Sequence, residues 1–114
     1  MKISGHSIFL VKPVASSDGW SMGHTTVFVK LETESGLIGW GEAYALQHRQ
    51  SACREIIDAL GAALTQMADA SPRRFLNEIA KPMETRHASI DYAAAVSAIE
   101  IALWDLLGDR KSVV

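Results

Sequence analysis

The stretch from residue 25 to residue 44 constrains the fold more than any other part of the chain. Thr25, Val27, Val29, Leu31 and Thr33 fall on one face of an extended segment, while Lys30, Glu32 and Glu34 fall on the other. Ser35-Gly36 then supplies turn chemistry, and Leu37-Ile38-Gly39-Trp40-Gly41-Glu42-Ala43-Tyr44 resumes as a strand. The pattern predicts a tight antiparallel hairpin. One face of that hairpin is apolar and needs a cover.

The rest of the chain supplies both a third strand and the cover. Ile3 to Val11 is rich in strand formers, although Ile8, Phe9, Leu10 and Val11 run together and blur the alternation. Residues 13–24, with their Ser and Gly, are too many for a simple hairpin turn. Beyond about residue 46 the period becomes helical. Ile56, Ile57, Leu60, Ala63, Leu64 and Met67 form one stripe. Ser71-Pro72 reads as a helix start, with Ser71 as N-cap and Pro72 in the first helical position. This second helix is expected to end near Pro82. A third, from about Ile90 to Leu107, is apolar nearly all round and is expected to be buried in a larger body, with Gly108 placed to end it.

Strands at about 2–12, 24–34 and 36–44, followed by helices at about 48–68, 72–82 and 90–107, describe an α+β fold: a three-stranded antiparallel meander and then a bundle of about three helices. The 114 residues are one domain's worth of chain. Eleven basic against 13 acidic residues, with no basic run, leave no electrostatic footprint for nucleic acid. No apolar run reaches the roughly 20 residues of a membrane span, and the first residues lack the apolar core of a signal peptide. The single Cys53 forms no internal disulfide, which favours a reducing, cytoplasmic setting.

Chemistry-bearing residues are scattered. His6 lies in a strand, His24 at a strand start, His48 in the join between the last strand and the first helix, and His87 between two helices. For each, a structural or polar-loop role is the simpler reading, with substrate contact open at His24 and His48. The two glycines of Gly39-Trp40-Gly41-Glu42 share a strand face, allowing another backbone to approach, while Trp40 and Glu42 share the opposite face. Glu42 suits a hydrogen bond to a neighbouring domain. Glu100 and Asp105 flank Trp104 in the apolar third helix and, if buried, require partners. Neither a metal-ligand spacing nor an assembly of nucleophile, base and oxyanion donors is present, so no metal site and no catalytic residue is expected within this chain.

Three segments together carry a resemblance. The hairpin Val29-Lys30-Leu31-Glu32-Thr33-Glu34-Ser35-Gly36-Leu37-Ile38-Gly39-Trp40-Gly41-Glu42-Ala43 resembles the one that opens the mandelate racemase/muconate lactonizing enzyme family of the enolase superfamily. Ser71-Pro72-Arg73-Arg74 resembles the start of that family's middle helix. Residues 95–108, with Ser97-Ala98-Ile99-Glu100 and Ala102-Leu103-Trp104-Asp105, are similar to its S-A-I-[DE]-x-A-L-W-D helix. The resemblance covers about residues 1–108.

It implies an N-terminal capping domain that folds over the mouth of a (β/α)-barrel following in the same chain. In the family, the barrel holds Mg²⁺ on three carboxylates, and Lys or His bases remove the proton beside a substrate carboxylate, giving an enediolate that the metal stabilises. The cap contributes specificity and excludes water. The loop at residues 13–24 corresponds to the family's specificity loop, which places Ser16, Ser17, Asp18, Gly19, Trp20 and His24 near substrate. The segment after Gly-Trp-Gly-Glu adds Tyr44, His48 and Arg49. Gly19 and Gly23 would hinge that loop while Trp20 closes an apolar lid.

On this resemblance the parent is an Mg²⁺-dependent enzyme, first of all a sugar-acid dehydratase, with a racemase or cycloisomerase as the alternative. Its expected partners are a small carboxylate or sugar-acid substrate, its own C-terminal barrel and further copies of itself as a homo-oligomer, with neither nucleic acid nor membrane among them. The fragment itself is expected to be inactive and to need no cofactor. A standalone binding module reusing the fold is the alternative of a different class.

Asp109-Arg110-Lys111-Ser112-Val113-Val114 departs from the family, whose members continue through a Lys-containing turn into the barrel. GATCGGAAGAGCGTCGTG encodes these six residues and matches a common short-read library adapter. Residues 109–114 are therefore expected to be a non-native tail on a chain truncated before its barrel.

Overall fold

The computed structural model describes residues 1–12, 25–84 and 89–112, with the backbone alone for 109–112. Three strands, β1 (Ile3–Val11), β2 (Thr26–Thr33) and β3 (Ile38–Ala43), form one antiparallel sheet in the order β1-β2-β3. The helices are α1 (Gln50–Thr65), α2 (Pro72–Phe75), α3 (Lys81–Glu84) and α4 (Ile90–Ser112). A π segment, Leu76–Ala80, joins α2 to α3 in one continuous helical stretch. The architecture is α+β, a meander covered by three helical segments.

Alternation along β2 sets the interior. Val27, Val29, Leu31 and Thr33 are buried, and the residues between them are half-buried on the outer face. The turn after β2 closes as its residue types require. Gly36 stands at φ +92°, and its N–H donates to the Thr33 carbonyl at 3.0 Å. The Thr33 hydroxyl accepts from the Leu37 N–H at 3.0 Å.

In β1 the register shifts between Ile3 and Gly5. Ile3 is fully buried, whereas Phe9, Leu10 and Val11 are all exposed on consecutive positions. The blurred alternation of that segment corresponds to a strand end that the described helices leave uncovered on both faces.

Helix α1 buries Cys53, Ile57, Leu60, Gly61 and Leu64 along one stripe. Its glycine accommodates the His6 ring, which would lie 2.7 Å from a Cβ at position 61. The same ring meets Asp58 through its Nε2 at 2.8 Å. Ser71 caps α2 by accepting from the Arg74 N–H at 3.1 Å, with Pro72 in the first turn and Phe75 fully buried.

Pro82 does not end this helical stretch, which continues to Glu84. Ahead of it the backbone widens, and the Lys81 N–H donates to the Leu76 carbonyl, five residues back. A proline ring crowds the carbonyl of the fourth residue before it. The wider π turn just upstream is the kind of local adjustment that such a ring favours.

Helix α4 lies closest to the sheet. Ala95, Ala98, Ile99, Ala102, Leu103 and Leu106 are fully buried at helical spacing, and the small ones face Gly39 and Gly41 of β3. One expectation for this helix is corrected. It passes through Gly108 without a left-handed residue and runs to Ser112; a glycine inside a helix costs only about 1 kcal/mol, which does not by itself stop one. Its apolar surface is covered on one side only among the described residues, leaving Ile101 and Trp104 exposed, as suits a helix expected to be buried in a larger body.

Candidate functional site

Strand register selects one end of the sheet. Val11 pairs with Thr26, and Leu10 with Val27, which in turn pairs with Ala43. The chain therefore leaves β1, enters β2 and leaves β3 at the same sheet end. Residues 44–49 begin there, next to the ends of the segment that joins β1 to β2. Ser16, Ser17, Asp18, Gly19, Trp20 and His24 lie outside the described residues, as does His87.

The segment after β3 continues the strand's in-and-out pattern for three residues. Tyr44 is exposed, Ala45 buried and Leu46 exposed. It then reverses through a turn in which the Arg49 N–H donates to the Leu46 carbonyl at 2.9 Å. His48 adopts φ 67°, in the left-handed region that few residues other than glycine occupy. Arg49 takes the N-cap position of α1, and its carbonyl accepts from the Cys53 N–H at 3.1 Å.

Its side chain, 56% exposed, reaches across to α4. Arg49 Nε donates to Asp91 Oδ2 at 2.9 Å, and Nη2 bonds the same oxygen. Asp91 is buried, in the first turn of α4, where the helix dipole also favours a carboxylate. The hydrogen bond that Arg49 donates to Asp91, and then the Asp91 charge, raise the Arg49 pKa above the ordinary arginine value. Cys53 is pushed up to about 11, first by burial and second by the Asp91 charge. Tyr44 and His48 are thus carried on a turn whose far end is fixed by an ion pair.

The remaining candidates lie elsewhere. Glu42 is exposed on the outer face of β3, opposite Phe28. Trp40 stacks in a tilted contact with Phe9 at 5.6 Å between ring centroids. Glu100 and Asp105 are not the buried carboxylates expected from an apolar helix. Asp105 is exposed and accepts from the backbone N–H of Trp40 at 2.9 Å; Glu100 is half-buried and meets Trp104 Nε1 at 3.4 Å. Both project from the flanks of α4 rather than from its buried stripe. A hollow of about 510 Å³ is at the opposite sheet end, lined by Met1, Lys2, Thr33, Glu34, Ser35, Leu37 and Asp69. Among the described residues no group of three His, Cys, Asp or Glu side chains is placed to hold a metal ion.

Sequence reasoning named Arg49 but not its partner. The only hint was a lone acid, Asp91, two residues after Ser89, which caps α4 by accepting from the Tyr92 N–H at 3.0 Å. Nothing in the sequence connects that acid to a loop 42 residues away.

A meander closed on one face by helices, with two connecting segments meeting at one end, defines an α+β domain that presents a loop-built edge. The chain belongs to the mandelate racemase/muconate lactonizing enzyme family, in the enolase superfamily, as its N-terminal domain: the family's sequence model for that domain matches residues 6–113. No curated protein matches the chain.

Several solved structures are similar to it. An enolase from environmental shotgun sequencing of the Sargasso Sea superimposes with a TM-score of 0.88 at 34% identity, covering 96% of this chain and 29% of that one. A mandelate racemase/muconate lactonizing enzyme from Jannaschia sp. CCS1 gives 0.77 at 26% identity, covering 97% and 28%. Another from a Sulfitobacter species gives 0.71 at 28% identity, covering 97% and 28%. The chain thus spans less than a third of the length of these relatives. No helix among the described residues is long and apolar enough to cross a membrane.

Proposed function

We propose that this domain caps the active site of an enolase-superfamily enzyme and that residues 44–49, with residues 13–24, face the substrate. The supporting observation is the strand register, which starts both segments from one end of the sheet. Tyr44, His48 and Arg49 from the second segment, and Ser16, Ser17, Asp18 and His24 from the first, offer hydroxyl, imidazole, carboxylate and cationic groups. That donor set suits an acid rich in hydroxyls, with Trp20 and the hinge at Gly19 closing the apolar side of the lid.

The parent reaction we put forward is dehydration of a sugar acid, begun by proton abstraction next to the carboxylate. Superfamily parents are typically Mg²⁺-dependent, and the described residues of this domain do not form a site for that ion. Proton transfer and metal binding are therefore assigned to a barrel, with the cap selecting the substrate and keeping water out.

Amplification of the locus from source DNA, followed by expression of the whole reading frame, tests the reading. The expected result is a continuation past residue 108 into a barrel that carries spaced acidic ligands and a Lys or His base. That enzyme is expected to dehydrate members of a sugar-acid panel with Mg²⁺. An authentic stop after Val114 supports a standalone module instead, and racemisation or cycloisomerisation without loss of water moves the parent out of the dehydratases.

A further inference from the structure

We propose that Asp91 is the positioning residue of the substrate-facing turn: by holding Arg49 it fixes the conformation in which residues 44–48 are presented. The inference rests on the assignment of that turn to substrate but concerns a residue outside it.

Four observations converge. Asp91 is 6% exposed, so its carboxylate has little water to turn to and depends on Arg49 for its charge. Arg49 places two nitrogens on one oxygen of that acid, which fixes the guanidinium plane more closely than a single contact does. Arg49 is also the first residue of the α1 hydrogen-bond ladder, through its carbonyl and the Cys53 N–H, and the last residue of the turn, through its N–H and the Leu46 carbonyl. Between those bonds stands His48 at φ 67°, a conformation that a non-glycine residue keeps only when its surroundings impose it.

The turn is thus held at one end by β3 and at the other by an acid on the first turn of α4. Arg49 is the anchor although its own side chain is 56% exposed, and Tyr44, Leu46 and His48 are exposed as well. On this account Arg49, besides the cation it offers, acts on a ligand through the turn it holds. Changes at position 91 alter what the turn presents without altering its sequence.

The test is amide hydrogen exchange by NMR on the 114-residue chain, comparing Asp91→Asn, Asp91→Glu and Arg49→Gln with the parent sequence. Asp91→Asn keeps the shape and removes the charge. It is expected to speed exchange of the Arg49 N–H, which the turn bonds to the Leu46 carbonyl, by about tenfold or more while Val29 and Leu103 keep their rates. The Arg49 Nε–H resonance is expected to lose its protection in the same variant. Asp91→Glu, which keeps a carboxylate, is expected to restore part of both, and Arg49→Gln to reproduce the loss from the other side. Unchanged exchange in the turn overturns the proposal. So does a chain that fails to fold, or one in which Val29 and Leu103 speed up as much as the turn, since either makes the pair a global support. No ligand enters the experiment, so a turn that proves not to face substrate leaves its outcome unchanged and counts only against the proposed function.

Discussion

Gly41 of β3 lies directly beneath the carbonyl of Ala98 in α4, so close that no β-carbon fits between them. Gly39 meets Ala102 and Leu106 in the same way, one turn further along the helix. Two glycines on one strand face and alanines on the facing helix let two backbones touch, and this contact sets the spacing between the sheet and its main helix. Because the obstacle at Gly41 is backbone, it cannot swing aside. Gly41→Ala is expected to cost about 3 kcal/mol or more, beyond the usual range for overpacking because α4 itself must shift. Thermal unfolding by circular dichroism is expected to fall by more than about 10 °C. A variant that melts with the parent would show that α4 can move off the sheet at little cost.

Position 61 offers a contrast, because its obstacle is a side chain. The Cβ of Gly61→Ala would meet the His6 ring at 2.7 Å, and the ring can rotate away only by giving up Asp58. The expected cost is about 1–2 kcal/mol. His6→Ala removes the obstacle, so the double variant is expected to be more stable than the two single losses added together, by an amount measurable in a urea double-mutant cycle. Simple additivity would mean that the ring does not set the fit at position 61.

The close approaches at Gly39 and Gly41 were legible beforehand for a physical reason, whereas the one at Gly61 was not. A period-2 strand with glycine at alternate positions exposes backbone on one face, and the small residues of α4 were visible at helical spacing. The hairpin was legible because Ser35-Gly36 interrupts a regular alternation. What did not show in the sequence was anything set by packing at a distance. Apolar residues all round α4 do not say which side the sheet takes, so the burial of Glu100 and Asp105 stayed open; they lie on the flanks, where Asp105 accepts a hydrogen bond from the sheet. Gly108 was read as a stop because local propensity argues so, yet a helix tolerates a glycine when its neighbours hold it. The Arg49–Asp91 pair joins two loop-to-helix junctions far apart in sequence, and no local pattern announces it.

Cys53 gives the chain a pH dependence with a definite sign. Its thiol is fully buried and titrates near 11, against 9.0 for the ordinary group. Between those values the unfolded chain has released the proton and the folded chain has kept it. The native state then binds more protons, so stability falls as pH rises from about 9 toward 11 and is level on this account below 9. Cys53→Ala removes the titrating group. The stability gap between parent and variant, measured by urea unfolding across that range, is expected to narrow as the solution becomes more alkaline. A constant gap would place the thiol's titration where an exposed thiol has it.

The outer side of α4 supplies the last prediction. Ile101 is 47% exposed and Trp104 55%, and Trp104 borders a groove of about 470 Å³ with Ser71, Pro72, Arg73, Leu76, Asn77, Glu100 and Leu107 around it. Apolar surface gathered on one helix side invites contact with other copies of the chain. Trp104→Glu puts a charge on that side, at a site where the side chain does little for the core. Its effect on unfolding stability is expected to stay within about 1 kcal/mol, while sedimentation velocity is expected to show less self-association than the parent at equal concentration. Leu103→Glu is the control: the neighbouring residue is fully buried, and the same charge there is expected to unfold the domain. If Trp104→Glu destabilised the chain as severely as Leu103→Glu, the exposed side of α4 would belong to the core. If instead it left association unchanged in a folded chain, the outer face of the sheet, where Phe9 and Trp40 are also exposed, would become the place to look.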